Sequence, residues 1–96
     1  MYNYEGVFII DPDLQADAAK GVLTQIQDLV TKNQGRIDAV QEWGKKRLAY
    51  KINKKADGYY VILNYQMDSQ ATKKFDQSIR LNDQILRYLI INKSHK

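Results

Sequence analysis

Apolar and polar positions divide the chain into six segments. Residues 2–10, Tyr-Asn-Tyr-Glu-Gly-Val-Phe-Ile-Ile, are rich in aromatic and β-branched types and predict a strand. Asp11-Pro12-Asp13 stops it, because the chain's single proline cannot continue a strand interior. Asp13 is placed to cap a helix. Leu14, Ala18, Val22, Ile26, Leu29 and Val30 then recur at helical spacing. Asp17 near its start and Lys32 near its end suit the macrodipole. Gly21 costs this helix about 1 kcal/mol against alanine, and Gly35 is placed to end it.

Residues 36–53 predict a long strand with a flaw. Ile37, Ala39, Gln41 and Trp43 alternate on one parity, while Leu48, Tyr50 and Ile52 alternate on the other. A slip of one residue, a bulge, is expected near Gly44. Lys54-Lys55-Ala56-Asp57-Gly58 reads as a turn. Residues 59–67 form the next strand, with Tyr59, Val61, Leu63, Tyr65 and Met67 on one face. Asp68-Ser69 opens a second helix whose stripe is Ala71, Phe75, Ser78 and Ile79. Asn82-Asp83 ends it, and Ile85 to Ile91 is a last strand.

The order βαββαβ has few solutions, because crossovers are right-handed. Two helices on one face of a four-stranded antiparallel sheet give an α+β, ferredoxin-like split βαβ sandwich. The expectation is one domain over residues 1–96, with a short basic tail from about Lys93. Strands 1 and 3 are central and strands 2 and 4 are edges. Phe8, Leu29, Val30, Leu63 and Ile90 belong to the core. Parity then sends Val7, Ile9, Tyr60, Ile62, Leu89 and Ile91 to the opposite, open face. That face is apolar enough to ask for a partner.

Composition narrows the function. Ninety-six residues, 44% of them hydrophobic, build one modest core. There is no cysteine, and the single histidine, His95, is the penultimate residue. No zinc site and no Ser/His or Cys/His pair can be assembled from that set. Neither a Walker lysine loop nor Gly-x-Gly-x-x-Gly occurs. Asp11 and Asp13 flank a helix start, where capping is their expected work. No catalytic residue, metal, cofactor or small-molecule substrate is expected. No apolar run reaches the roughly 20 residues of a membrane span, and the N-terminus lacks the basic flank and apolar stretch of a signal peptide.

Charge is unevenly placed. Residues 1–44 carry three Lys/Arg and seven Asp/Glu, a net of −4; residues 45–96 carry twelve and four, a net of +8. Lys45, Lys46, Arg47, Lys51, Lys54 and Lys55 put six cations in eleven residues without an acid. On an edge strand such charges block pairing with another chain, and they also suit phosphate contact. An RNA recognition motif shares the βαββαβ order. Its third-strand pattern meets Asp57-Gly58-Tyr59-Tyr60-Val61-Ile62-Leu63-Asn64 here. The glycine and first aromatic fit, but Asp57 and Asn64 replace the leading basic residue and the final aromatic.

Gly44-Lys45-Lys46-Arg47-Leu48-Ala49-Tyr50-Lys51-Ile52-Asn53 resembles the signature of the bacterial small-subunit ribosomal protein S-six family: a glycine, a basic residue two later, then Leu-Ala-Tyr-x-Ile. The opening Tyr-Glu, Asp11-Pro12, Gly58-Tyr59, and Arg80 with Asp83 extend the likeness over nearly the whole chain. The resemblance implies a ferredoxin-like fold and a non-catalytic role in the cytoplasmic ribosome. It also implies pairing with ribosomal protein S-eighteen and binding to the central domain of small-subunit ribosomal RNA. Some members carry a long acidic tail, where this sequence ends Asn92-Lys93-Ser94-His95-Lys96.

Candidate sites follow. Glu42, Lys46 and Arg47 straddle the bulge and, with Tyr60 and Ile62 of the open face, are expected to meet the protein partner. Antiparallel strands 1 and 4 bring Tyr2 and Asn3 near Lys93, with His95 and Lys96 close by and Arg87 further down strand 4. Tyr2, Asn3, Lys93 and Arg87 are expected to bind RNA, with Lys54 and Lys55 at the other end of the sheet as the second candidate. The competing expectation is a free-standing interaction module, such as a homo-oligomer joined through the open face.

Overall fold

The structure, a computed structural model, describes residues 1–52 and 54–93. The elements are β1 (Tyr2–Ile10), α1 (Ala16–Lys32), β2 (Arg36–Ile52), β3 (Lys55–Met67), α2 (Ser69–Arg80) and β4 (Ile85–Asn92). Asn53 of the predicted second strand and His95 and Lys96 of the tail lie outside the described residues. The strands form one antiparallel sheet in the order β2-β3-β1-β4, so β1 and β3 are central and β2 and β4 are edges, as expected.

Alternate residues of the central strands face the helices. Phe8 and Ile10 of β1, and Val61, Leu63, Tyr65 and Met67 of β3, are buried against Val22, Ile26 and Val30 of α1 and Phe75 and Ile79 of α2. Tyr65 stacks on Tyr4 with centroids 5.5 Å apart and meets Phe75 at 5.4 Å. Leu29 and Ile90 are half-buried at the core's margin. Gly6 lies under this layer, where a Cβ would stand 2.7 Å from the Phe8 ring.

The start of α1 differs from the expectation. Asp13 does not cap it; Gln15 holds the N-cap position, without a side-chain hydrogen bond. The Asp13 amide donates to Asp11 Oδ1 (3.0 Å), and the Asp13 carboxylate pairs with Lys55. The acid is used in the turn, so the helix begins later, at Ala16. Leu14 therefore stands outside α1, Ala18 is exposed, and the buried stripe is Ala19, Val22, Leu23, Ile26 and Val30. At the far end the left-handed position is taken by Gln34 (φ 64°), not Gly35. Gly35 donates to Val30 O at 2.8 Å and Gln34 to Thr31 O at 3.0 Å, a Schellman pair. Gly35 is needed for space, since a Cβ there would lie 2.7 Å from Gln66 O.

β2 also departs from its predicted parity. The bulge at Gly44 is present, with φ 77° and a register shift between Glu42 and Gly44. A second shift lies between Ile37 and Ala39. Ile37 consequently sits opposite Tyr65 on the helix side, while Ala39 sits opposite Asn64 on the open side, so the two do not share a face. The predicted five-residue turn is mostly strand, because β3 begins at Lys55 and Lys54 takes the left-handed turn position (φ 66°).

Candidate nucleic-acid interface

Cross-strand neighbours of an antiparallel sheet point to the same side. The register therefore lays the open face out in rows. Arg87, Ile9, Tyr60 and Gly44 form one row from β4 to β2, Leu89, Val7, Ile62 and Gln41 the next, and Ile91, Glu5, Asn64 and Ala39 a third. The middle row is apolar from Leu89 to Ile62, as parity predicted, and ends in the polar Gln41 at the β2 edge. Ile62 is buried by its neighbours, Val7, Ile9 and Tyr60 are half-buried, and Leu89 and Ile91 are exposed. Beyond the third row the face turns polar, with Gln66 Nε2 donating to Asp38 Oδ2 at 3.1 Å.

The candidate protein-partner residues wrap the β2 edge rather than sharing one face. Lys46, opposite Gly58, lies with Tyr60 and Ile62 on the open side. Gly58 is there by necessity, since a Cβ would meet Ile9 Cγ2 at 2.3 Å. Glu42 and Arg47, opposite Val61 and Asp57, lie on the helix side. Burial, and then the charge of Glu42, push the Tyr59 hydroxyl pKa up.

The candidate RNA-contact residues are only partly brought together. Lys93 N donates to Asn3 O at 2.7 Å, so the start of β1 and the end of β4 do meet. Tyr2 turns to the helix side, its ring edge-on to Tyr4 at 6.5 Å, while Lys93 Nζ lies 3.8 Å from Glu5. Arg87 is not in that cluster. It pairs with Ile9, seven positions along β1 from Tyr2, or about 23 Å at the rise of an extended strand. Lys54 and Lys55 sit at the opposite end of the sheet and differ from each other. Lys55 is tied to Asp13 and lies 3.7 Å from Asp11. The bond and charge of Lys55 hold the Asp13 pKa below its usual value, and the bond to Asp13 raises that of Lys55. Lys54 forms no ion pair among the described residues and borders a groove of about 490 Å³ with Pro12, Lys45 and Ala56.

Two exposed rings on β2 were not singled out by sequence reasoning. Trp43 is the extra residue of the Gly44 bulge, with its indole N–H donating to Gln41 Oε1 (3.2 Å) and Lys46 Nζ 5.8 Å from its ring centroid. The parity slip marked its position. Tyr50 shares its parity with Leu48 and Ile52 in the sequence, yet it is 85% exposed. No cluster of metal-ligating side chains occurs among the described residues.

Fold and surface together define a two-layer ferredoxin-like binding domain, charged along one sheet edge and uncovered on its apolar face. The family model described as Ribosomal protein S6 matches residues 3–92, and the chain belongs to that family, one of structural proteins and not enzymes. It is similar to small ribosomal subunit protein bS6 of Thermoanaerobacter pseudethanolicus, 41% identical over 91 residues that span 95% of this chain and 96% of the relative. The bS6 protein of Halalkalibacterium halodurans is 41% identical over 90 residues, 94% of this chain and 95% of the relative. The crystal structure of 30S ribosomal protein S6 from Thermotoga maritima, 24% identical, has the same fold, with a TM-score of 0.92 over 96% of this chain and 87% of that chain.

Proposed function

We propose that the chain is an architectural component of the small ribosomal subunit. In this reading it binds the central domain of small-subunit ribosomal RNA together with ribosomal protein S-eighteen. The observation that carries it is a concentration of positive charge at the β2 edge. Lys45, Lys46, Arg47, Lys51 and Lys54 lie within ten positions on β2 or its turn and form no ion pair among the described residues. The relatives, named as small ribosomal subunit proteins, support the same reading.

Each surface has a task. Cations neutralise phosphates and release counterions. Tyr2, Asn3 and Lys93 serve at one end of the sheet and Lys54 and Lys55 at the other, with Arg87 between. Lys55 is the weakest of these, because Asp11 and Asp13 already share its charge. Val7, Leu89 and Tyr60 offer the protein partner an apolar patch around Ile62, which is itself buried and supports the patch from beneath. Glu42, Lys46 and Arg47 supply complementary charge at its rim. Folded RNA is recognised largely by shape, so a rigid arrangement of these groups suffices.

Co-sedimentation with small ribosomal subunits at moderate salt tests the reading. The chain is expected in the subunit fraction, and S-eighteen is expected to raise its affinity for a central-domain transcript. A chain that stays in the supernatant and ignores the transcript with S-eighteen present overturns the proposal.

A further inference from the structure

The β2–β3 hairpin outruns the sheet. β1 accompanies β3 only to Tyr59, opposite Ile10, so β3 before Tyr59 has β2 as its one strand neighbour. Between the pairs Arg47↔Asp57 and Ile52↔Lys55, four residues of β2, 48–51, stand against Ala56 alone. A bulge of this kind re-aims side chains. Tyr50 stands on it, 85% exposed. Its ring meets no other ring or cation, and its hydroxyl no hydrogen-bond partner, among the described residues. Trp43 differs, because Lys46 already lies over its ring. Lys51 and Lys54, close to Tyr50 in the chain, are exposed and form no ion pair among the described residues.

This chemistry favours RNA over protein. The centre of a protein interface is a cluster of apolar groups that exclude water together. Tyr50 has no such company: Ala49 and Lys51 are exposed and Leu48 is half-buried. A lone ring among cations suits a nucleotide, whose base stacks on the ring while its phosphates meet the ammonium groups.

We propose that Tyr50 is a base-stacking residue: the bulged segment holds one unpaired nucleotide of RNA on the Tyr50 ring, with its flanking phosphates on Lys51 and Lys54. The inference rests on the RNA-binding reading above and gives it a ligand class and a place.

The test uses the full chain, S-eighteen and a transcript of the small-subunit central domain. Tyr50→Ala should weaken transcript binding roughly tenfold, the worth of one stacked base, and leave the salt slope unchanged. Tyr50→Phe should restore affinity to within about twofold, because the ring is kept. Lys51→Gln should lower the salt slope by about one. If Tyr50→Ala binds the transcript as the unaltered chain does while Lys51→Gln does not, RNA binding stands and the stacking role is overturned. If Tyr50→Ala loses affinity for S-eighteen alone, the ring belongs to the protein interface and the proposal is again overturned. If the unaltered chain fails to bind the transcript, both readings fall together. Circular dichroism of each variant separates these results from misfolding.

Discussion

Single residues carry their consequences in what surrounds them. Leu63 has no exposed surface and faces the helices beside Gly6 of the neighbouring strand. Leu63→Ala should cost about 2–5 kcal/mol in urea unfolding, a large share of the roughly 5–15 kcal/mol a domain holds. A loss under about 0.5 kcal/mol, as at a surface site, would contradict its place in the core. Gly21 is the opposite case. It sits inside α1, exposed, with no atom within 4 Å of where a Cβ would be. Gly21→Ala should therefore stabilise the chain by about 0.5–1 kcal/mol through the helix propensity it restores. An unchanged urea midpoint would show that the glycine serves some tertiary purpose. Tyr65 combines full burial with a hydroxyl lacking a partner among the described residues, and burial pushes its pKa up.

Elements are held in place by their ends and edges. Lys55, the first residue of β3, ties the hairpin to Asp11 and Asp13 in the turn before α1. The Asp13 pKa is lowered in the folded chain. Its contribution is therefore present above the unfolded value, about 3.9, and is lost as pH falls through the folded one. The Lys55 pKa is raised. Its contribution is present below the unfolded value, about 10.4, and is lost as pH rises through the folded one. The stability gap between the unaltered chain and Asp13→Asn should thus be widest between these limits and close at both. Urea midpoints across that range check it, and a gap that does not vary with pH would refute the tether. β2 is an edge with charges on both its faces, Lys46 on one and Glu42 and Arg47 on the other. Charges there resist strand addition by a second chain. Replacing all three with apolar residues should raise self-association and weaken recognition of the protein partner together. Light scattering at high concentration reads the first and titration with S-eighteen the second; a monomer that still binds normally defeats the idea.

For the whole molecule, the distance between the two candidate RNA ends matters. The domain measures 36 × 28 × 22 Å, and β1 alone spans about 30 Å between them. Lys93 and Lys54 are too far apart to share a partner group, so their effects should add. With S-eighteen present, Lys93→Ala and Lys54→Ala should each lower the salt slope of transcript binding by about one, and the double variant by about two. A change in only one single variant would confine the RNA to that end. Glu5 near Lys93 and the acids around Lys55 make Lys54 the least encumbered of the three.

Local pattern determined the order of elements, the alternation of β1 and β3, the face of α2 and the slip at Gly44. In each case the residues themselves alternate or recur with the period of the element, so the solvent boundary is written into them. The signature around Leu48-Ala49-Tyr50 likewise carries the likeness to the family within the sequence itself. What the pattern could not decide came from groups distant in the chain. Asp13 is a good cap by type, but Lys55, 42 residues later, claims its carboxylate and α1 starts without it. Ile37 and Ala39 share parity, yet an added bulge at Asp38, whose carboxylate bonds Gln66 of β3, separates their faces. Strand direction puts Arg87 further down strand 4 than Lys93, but only the register fixes how far: it sits opposite Ile9, seven positions along β1 from Tyr2. Tyr50 has an apolar neighbour on either side of its own parity, but four residues facing one across the hairpin throw it into solvent. Register and ion pairing are properties of two segments at once, and only the folded chain brings the second segment into view.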